Sequence, residues 1–238
     1  MALAIALSRW QNLQLEGQFL LGTGRTILQL LVVGYVLEAV FAIDHPLPVV
    51  GLVLVMLTVA AIAAKNRLRE IGNLPLMWGS IFVSFSLPLA YVLIFILQPE
   101  RWYEPQYLIP LAGMMLGNAM NSATLAGERL GSRIKSSRLE IETQLCLGAT
   151  PKQAIAAYRI EAIRASLIPT INSMMIVGLV SLPGMFTGQV LAGTDPLNAA
   201  SYQILILFMI AATNLISTSL VTEGIYRQFF NEAAQLQS

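Results

Sequence analysis

Long apolar runs with few or no charges alternate with short polar connectors along most of this chain. Residues 19–43, 47–64, a stretch within 71–99, 105–127, 166–193 and 200–222 are each of membrane-crossing length, where about 20 apolar residues are needed. The pattern predicts an all-α, polytopic transmembrane helix bundle with six full spans. Residues 1–7 are apolar but too short to cross, and are expected as an N-terminal stub. Residues 9–18 read as a polar helical connector and 223–238 as a short amphipathic tail. Pro88 interrupts the third run, and Asp44-His45-Pro46 is a tight turn. The whole chain, 1–238, is read as one transmembrane domain.

One long charged stretch, 140–169, breaks the pattern. A helix over 139–147 should stop at Gly148, which can adopt the left-handed cap conformation. Thr150 is then placed as N-cap, Pro151 as the first helical residue and Gln153 as the third position of a capping box. A helix that stops, turns and restarts between two membrane runs has a good shape for a partner's groove. Leu130, Ile134, Ile141 and Leu145 form an apolar stripe that should pack on the protein's own helices.

Composition supports lipid as the solvent. The chain is 56% hydrophobic and only 11% charged, against about 25% charged in soluble domains. The basic residues orient it. With the charged stretch in the cytoplasm and the spans alternating, Arg9, Arg25, Lys65, Arg67, Arg69, Arg129, Arg133, Lys135, Arg138, Lys152, Arg159, Arg164 and Arg227 lie inside. Of the 14 Lys and Arg only Arg101 lies outside, with Asp44, His45, Glu100, Glu104 and Asp195. The single cysteine, Cys146, excludes an internal disulfide and is expected to pack as a small apolar residue. No G-x-x-x-x-G-K-[ST] loop is present, so the chain does not bind ATP that way. No basic patch interleaves with aromatics, so nucleic acid is not an expected partner.

Within the apolar runs, Gly113/Gly117 and Gly184/Gly188 are G-x-x-x-G pairs that permit close helix approach, for static packing or a dimer interface. Pro183-Gly184 should weaken the fifth span near its middle. Irregular backbone at that depth is tolerated where it faces protein or a cavity. Ser181, Pro183, Gly184 and Met185 are therefore candidate pathway lining, with Met114, Met120, Asn118, Asn121 and Asn172. Gap filling between mobile helices is the simpler account of the methionines, and bonding across helices accounts for the asparagines as well as a cargo contact does. Arg25 and Glu38 either snorkel or couple to ions. No residue set is assigned as metal ligands.

Glu142, five residues, then Gly148-Ala149 resembles the first half of the cytoplasmic coupling loop of ABC-transporter permeases. The segments GRTILQL from Gly24, VGYVL from Val33, IPLAGM from Ile109, GNAM from Gly117, LGATPKQA from Leu147 and GLVSLPGM from Gly178 resemble FetB-type permeases. That resemblance implies a multi-pass permease of a bacterial inner membrane, linked to iron export. Its coupling region, 128–165, would dock a separate cytoplasmic ATPase through Glu142, Gly148, Ala149, Thr150 and Pro151. ATP and Mg would sit on that partner, with no cofactor in this chain, and the permease would form a homodimer. The cargo is a metal ion or small polar solute. An ion-gradient-driven transporter using Arg25 and Glu38, and a membrane scaffold that recruits an ATPase, remain alternatives.

Overall fold

The computed structural model describes every residue except 44, 69, 70, 232, 237 and 238, and gives no side-chain description for Ala2 and Leu3. The expectations for Asp44 and Arg69 lie outside the described residues. The chain divides into two compact units, Met1–Val49 and Val50–Ser238. All regular structure among the described residues is helical.

In the first unit, α1 (Ala2–Trp10) precedes α2 (Glu16–Ile43). The stub is thus part of a helix that runs to Trp10, and the expected helical connector over 9–18 is helical only at its two ends, with a non-helical link over 11–15. Ser8 holds that link: its hydroxyl donates to Glu16 Oε1 (3.1 Å) and accepts from the Leu15 N–H (3.2 Å). Arg25 and Glu38 are both exposed on α2.

The second unit takes in α3 (Pro46–Arg67) from Val50 onward, then α4 (Leu74–Val92), α5 (Pro105–Ser136), α6 (Arg138–Cys146), α7 (Pro151–Ala154), α8 (Ala156–Ile176), α9 (Gly184–Leu191) and α10 (Pro196–Gln228). Asn73 starts α4 by accepting the Leu76 N–H (2.9 Å). Pro88 does not end that helix. The chain continues through it into a π-helical turn, Leu93–Leu97, closed by Gln98 in the left-handed region.

Helices α5 and α10 form the central pair. At 1.5 Å per residue they are about 48 and 50 Å long, against a hydrocarbon core of about 30 Å. Each is longer than a single crossing of that thickness requires. Among the described residues beyond Gln228 none is helical, so α10 covers only the first part of the expected tail. Glycines make the close contacts, though not those of the two G-x-x-x-G pairs. A Cβ on Gly224 of α10 would run into the Leu76 side chain, and one on Gly131 of α5 into Ile71. A Cβ on Gly127 would lie 2.8 Å from Ile225 and 2.9 Å from Leu68. Within this chain, Gly117, Gly184 and Gly188 have no neighbour within 4 Å of such an atom, and Gly113 only the Met56 methyl at 3.0 Å. Gly224→Val is therefore expected to destabilise the protein by about 1–3 kcal/mol through overpacking. A lower melting temperature in detergent would show it; Gly188→Ala should leave that temperature unchanged.

Four helices are long and apolar enough to cross a membrane among the described residues: α2, α3, α4 with its π turn, and α10. The other two expected spans differ in kind. Helix α5 has the length, but its last third is charged. The fifth run is not one helix but α8 and α9 with a break between them.

Candidate functional site

The break between α8 and α9 follows from local sequence. Gly178 takes φ +80, a conformation L side chains rarely adopt. Its N–H donates to the Ser181 carbonyl (2.9 Å), closing a tight loop over 177–181. Leu182 precedes a proline and is steered away from helix. Pro183 then caps α9 as its N-terminal residue. The expected weakening near Pro183-Gly184 is thus a full interruption, begun five residues earlier at Gly178. Uncharged helix over 165–176 of α8 supplies only about 18 Å, so the apolar segment is completed by irregular chain and α9.

That irregular backbone lines a cavity of about 330 Å³ between α5, α8, α10 and the start of α9. Its walls include Met114, Asn118, Thr170, Ser173, Pro183, Met185 and Gln203. Four residues expected in a pathway, Met114, Asn118, Pro183 and Met185, are therefore brought together. The others are not in its lining. Asn121 is exposed and accepts from Arg67 Nη1 (3.1 Å), near the charged end of α5. Asn172 and Ser181 are exposed, and Met120 and Gly184 lie outside the wall. Asn118 spends its Nδ2 on the Met114 carbonyl (2.8 Å) within α5.

Three polar wall residues were not singled out from sequence: Thr170, Ser173 and Gln203. Gln203 is 8% exposed and its Oε1 has no hydrogen-bond partner. It also lines a second, apolar cavity of about 280 Å³, sharing Pro183 and Leu207 with the first. Below the first cavity, buried Asn214 donates from Nδ2 to Thr170 Oγ1 (2.7 Å), while Ser217 donates to the Ala119 carbonyl (3.2 Å). These bonds fasten α10 to α8 and α5. Among the described residues no group of three or more His, Cys, Asp and Glu could hold a metal.

The charged ends of α5, α8 and α10 meet at the other end of the unit. Glu161 of α8 accepts from Arg129 (2.9 Å) and Arg133 (2.7 Å) of α5. Arg159 of α8 pairs with Glu223 of α10 (2.8 Å), and donates to Thr222 Oγ1 and the Ser219 carbonyl (3.2 Å each). Arg227 also binds Glu223 (2.9 Å). In the sequence these residues mark orientation alone; the four-residue spacing of Arg129 and Arg133 is the sign of a shared face.

Hydrogen bonding from Arg133, helped by Arg129, holds the Glu161 carboxyl below its ordinary range. Burial pushes Glu223 up, but Arg227, Arg159 and Tyr226 together outweigh it and the net shift is downward. Both carboxyls ionise more readily folded than unfolded. Their stabilisation is present above the unfolded value near 4.5 and is lost as pH falls through the lowered folded values. Melting temperature should therefore be flat above pH 5 and drop below 4.5, less steeply in Glu161→Gln.

Between α5 and α8 lies the elbow. Helix α6 ends as expected: Gly148 has φ +92, with its N–H on the Leu145 carbonyl (3.0 Å). Thr150 and Gln153 form the capping box, the Gln153 N–H reaching Thr150 Oγ1 (3.4 Å) and the Thr150 N–H reaching Gln153 Oε1 (2.9 Å). Pro151 opens α7, which is only four residues long. Leu130, Ile134 and Ile141 are buried as expected. Cys146 is exposed rather than packed, because it faces outward on the last turn of α6. Beside it Leu147 is 83% exposed, and Leu139 at the other end of α6 is 80% exposed. Glu142 is paired with Arg138 one turn back (2.7 Å), leaving Gly148, Ala149, Thr150 and Pro151 as the turn itself.

The same arrangement can be compared with known proteins. A family model described as Uncharacterised protein family (UPF0014) matches residues 1–230. A UPF0014 membrane protein of Synechocystis is 60% identical over 98% of this chain and 91% of its own. The Escherichia coli protein called Probable iron export permease protein FetB is 40% identical over 98% of this chain and 89% of its own. Protein ALUMINUM SENSITIVE 3 of Arabidopsis thaliana is 35% identical over 99% and 86%. No solved structure matches the chain. With a family model covering nearly its full length and relatives of this similarity, the chain belongs to the UPF0014 family of membrane proteins.

Proposed function

We propose that the chain is the membrane-spanning subunit of an ABC-type iron exporter, powered by a separate cytoplasmic ATPase that holds ATP and Mg. The observation that carries this reading is the elbow: a capped, rigid turn presenting Leu139, Leu147 and Gly148 outward, with both arms tied into the bundle by ion pairs. The FetB relative supplies the expectation of iron and of export. Helix α5 and the α8–α9 pair complete six crossings with the four apolar helices. The elbow and the basic ends face the cytoplasm of a bacterial cell, and two copies of the chain pair to receive two ATPases. Closure of the motor pushes α6 and α7. The push reaches α8 directly, and α10 through Arg159–Glu223, so the cavity walls shift against α5.

The test is co-expression with the cognate ATPase. The two proteins should co-purify, and cells holding both should contain less iron under iron loading than cells holding either alone. Unchanged iron content with the complex assembled would remove iron export.

A further inference from the structure

We infer that the α5–α8–α10 cavity takes its metal as a small uncharged chelate bearing N–H or O–H donors, not as a naked or merely hydrated cation. This rests on the reading of the chain as an iron exporter and concerns the form in which iron is recognised.

Charge disfavours a bare cation in this cavity. The wall consists of amides, hydroxyls, thioethers and aliphatic groups, with no Asp, Glu, His or Cys in it. A divalent or trivalent ion stripped of water needs anionic or numerous oxygen ligands, and burying it without counter-charge is prohibitive. Two methionine sulfurs, from Met114 and Met185, do not compensate, because thioethers suit soft ions rather than iron(III). The start of α9 adds to the penalty. Its first backbone N–H groups precede the first intrahelical bond, Thr187 N to the Pro183 carbonyl (3.0 Å), and Pro183 and Met185 lie in the wall. Such an end carries partial positive charge and repels cations.

An orphaned acceptor in the wall points to a donor on the ligand. Gln203 is more than nine-tenths buried, lines the cavity, and leaves Oε1 unpaired. A buried unpaired amide oxygen is costly unless a ligand completes it. It is completed either by a cation, which the uncharged wall disfavours, or by an N–H or O–H donor. A metal whose charge is cancelled by its own organic ligand, and whose periphery carries N–H or O–H groups, meets both conditions. The cavity's 330 Å³ lies at the small end of ligand-sized sites.

The probes are iron(III) tris(acetohydroxamate), which is neutral and carries N–H donors, free acetohydroxamic acid, and iron(II) chloride. Each is titrated against the full chain in lipid nanodiscs without ATPase, so the result does not depend on docking. The chelate should bind at least tenfold more tightly than either other probe. Gln203→Leu should weaken chelate binding by roughly tenfold, the loss of one ligand hydrogen bond. Gln203→Glu, which supplies a carboxylate, should shift preference toward iron(II). Iron(II) chloride or the free acid binding wild type as tightly as the chelate overturns the assignment, as does absence of chelate binding or indifference to both substitutions.

Discussion

Leu147→Asp should abolish capture of the ATPase by the purified permease, cutting the co-purified amount by at least roughly tenfold. The side chain is 83% exposed at the tip of the elbow and closes no contact inside the chain that its loss would weaken. Insertion and melting temperature should therefore stay at the wild-type values. In a partner's groove the same leucine is worth roughly 1.5–3 kcal/mol of burial. Replacing it with a carboxylate removes that and adds the cost of a desolvated charge, while each 1.4 kcal/mol is a factor of about ten in affinity. Full recovery of ATPase with Leu147→Asp would show that the motor docks elsewhere. Gly148→Val tests the same surface by another route: φ +92 is strained for any L side chain, so the turn should distort although open space surrounds it.

Glu161→Arg should separate docking from transport. Wild-type Glu161 sits between Arg129 and Arg133, joining the two arms of the elbow. The reversal gathers three guanidinium groups at that point and drives α8 from α5. Because the pair is partly exposed, its stability contribution is small, and the protein should still fold. Iron export should fall at least tenfold while ATPase co-purifies normally and continues to hydrolyse ATP. Combining it with Arg133→Glu should restore much of the export, since one oppositely charged pair is re-formed. Wild-type export by the single variant would show that the pair transmits nothing.

Much of the helical plan was legible because burial in lipid leaves a coarse signal. The expected runs at 19–43 and 47–64 differ from α2 and α3 by at most a few residues at either end. The elbow was legible in finer detail, since Gly148, Thr150, Pro151 and Gln153 are local grammar that acts within one turn. What escaped was tertiary. Gln203 and Thr170 sit in apolar runs and become a site only when α8 and α10 cross; nothing in their neighbours marks them. Proline misled twice: α4 runs straight through Pro88 to Val92, while the interruption of the fifth run begins at Gly178, before Pro183. The glycine pairs Gly113/Gly117 and Gly184/Gly188 match a motif, yet Gly131 and Gly224 are where a Cβ would collide.

The outward-facing thiol at the end of α6 has a practical consequence. As the chain's single cysteine, it offers a maleimide one address. A membrane-impermeant reagent should tag inverted vesicles but spare right-side-out ones, and an occupying motor should shield the sulfur. One unaltered protein thus reports sidedness and occupancy in a single gel shift.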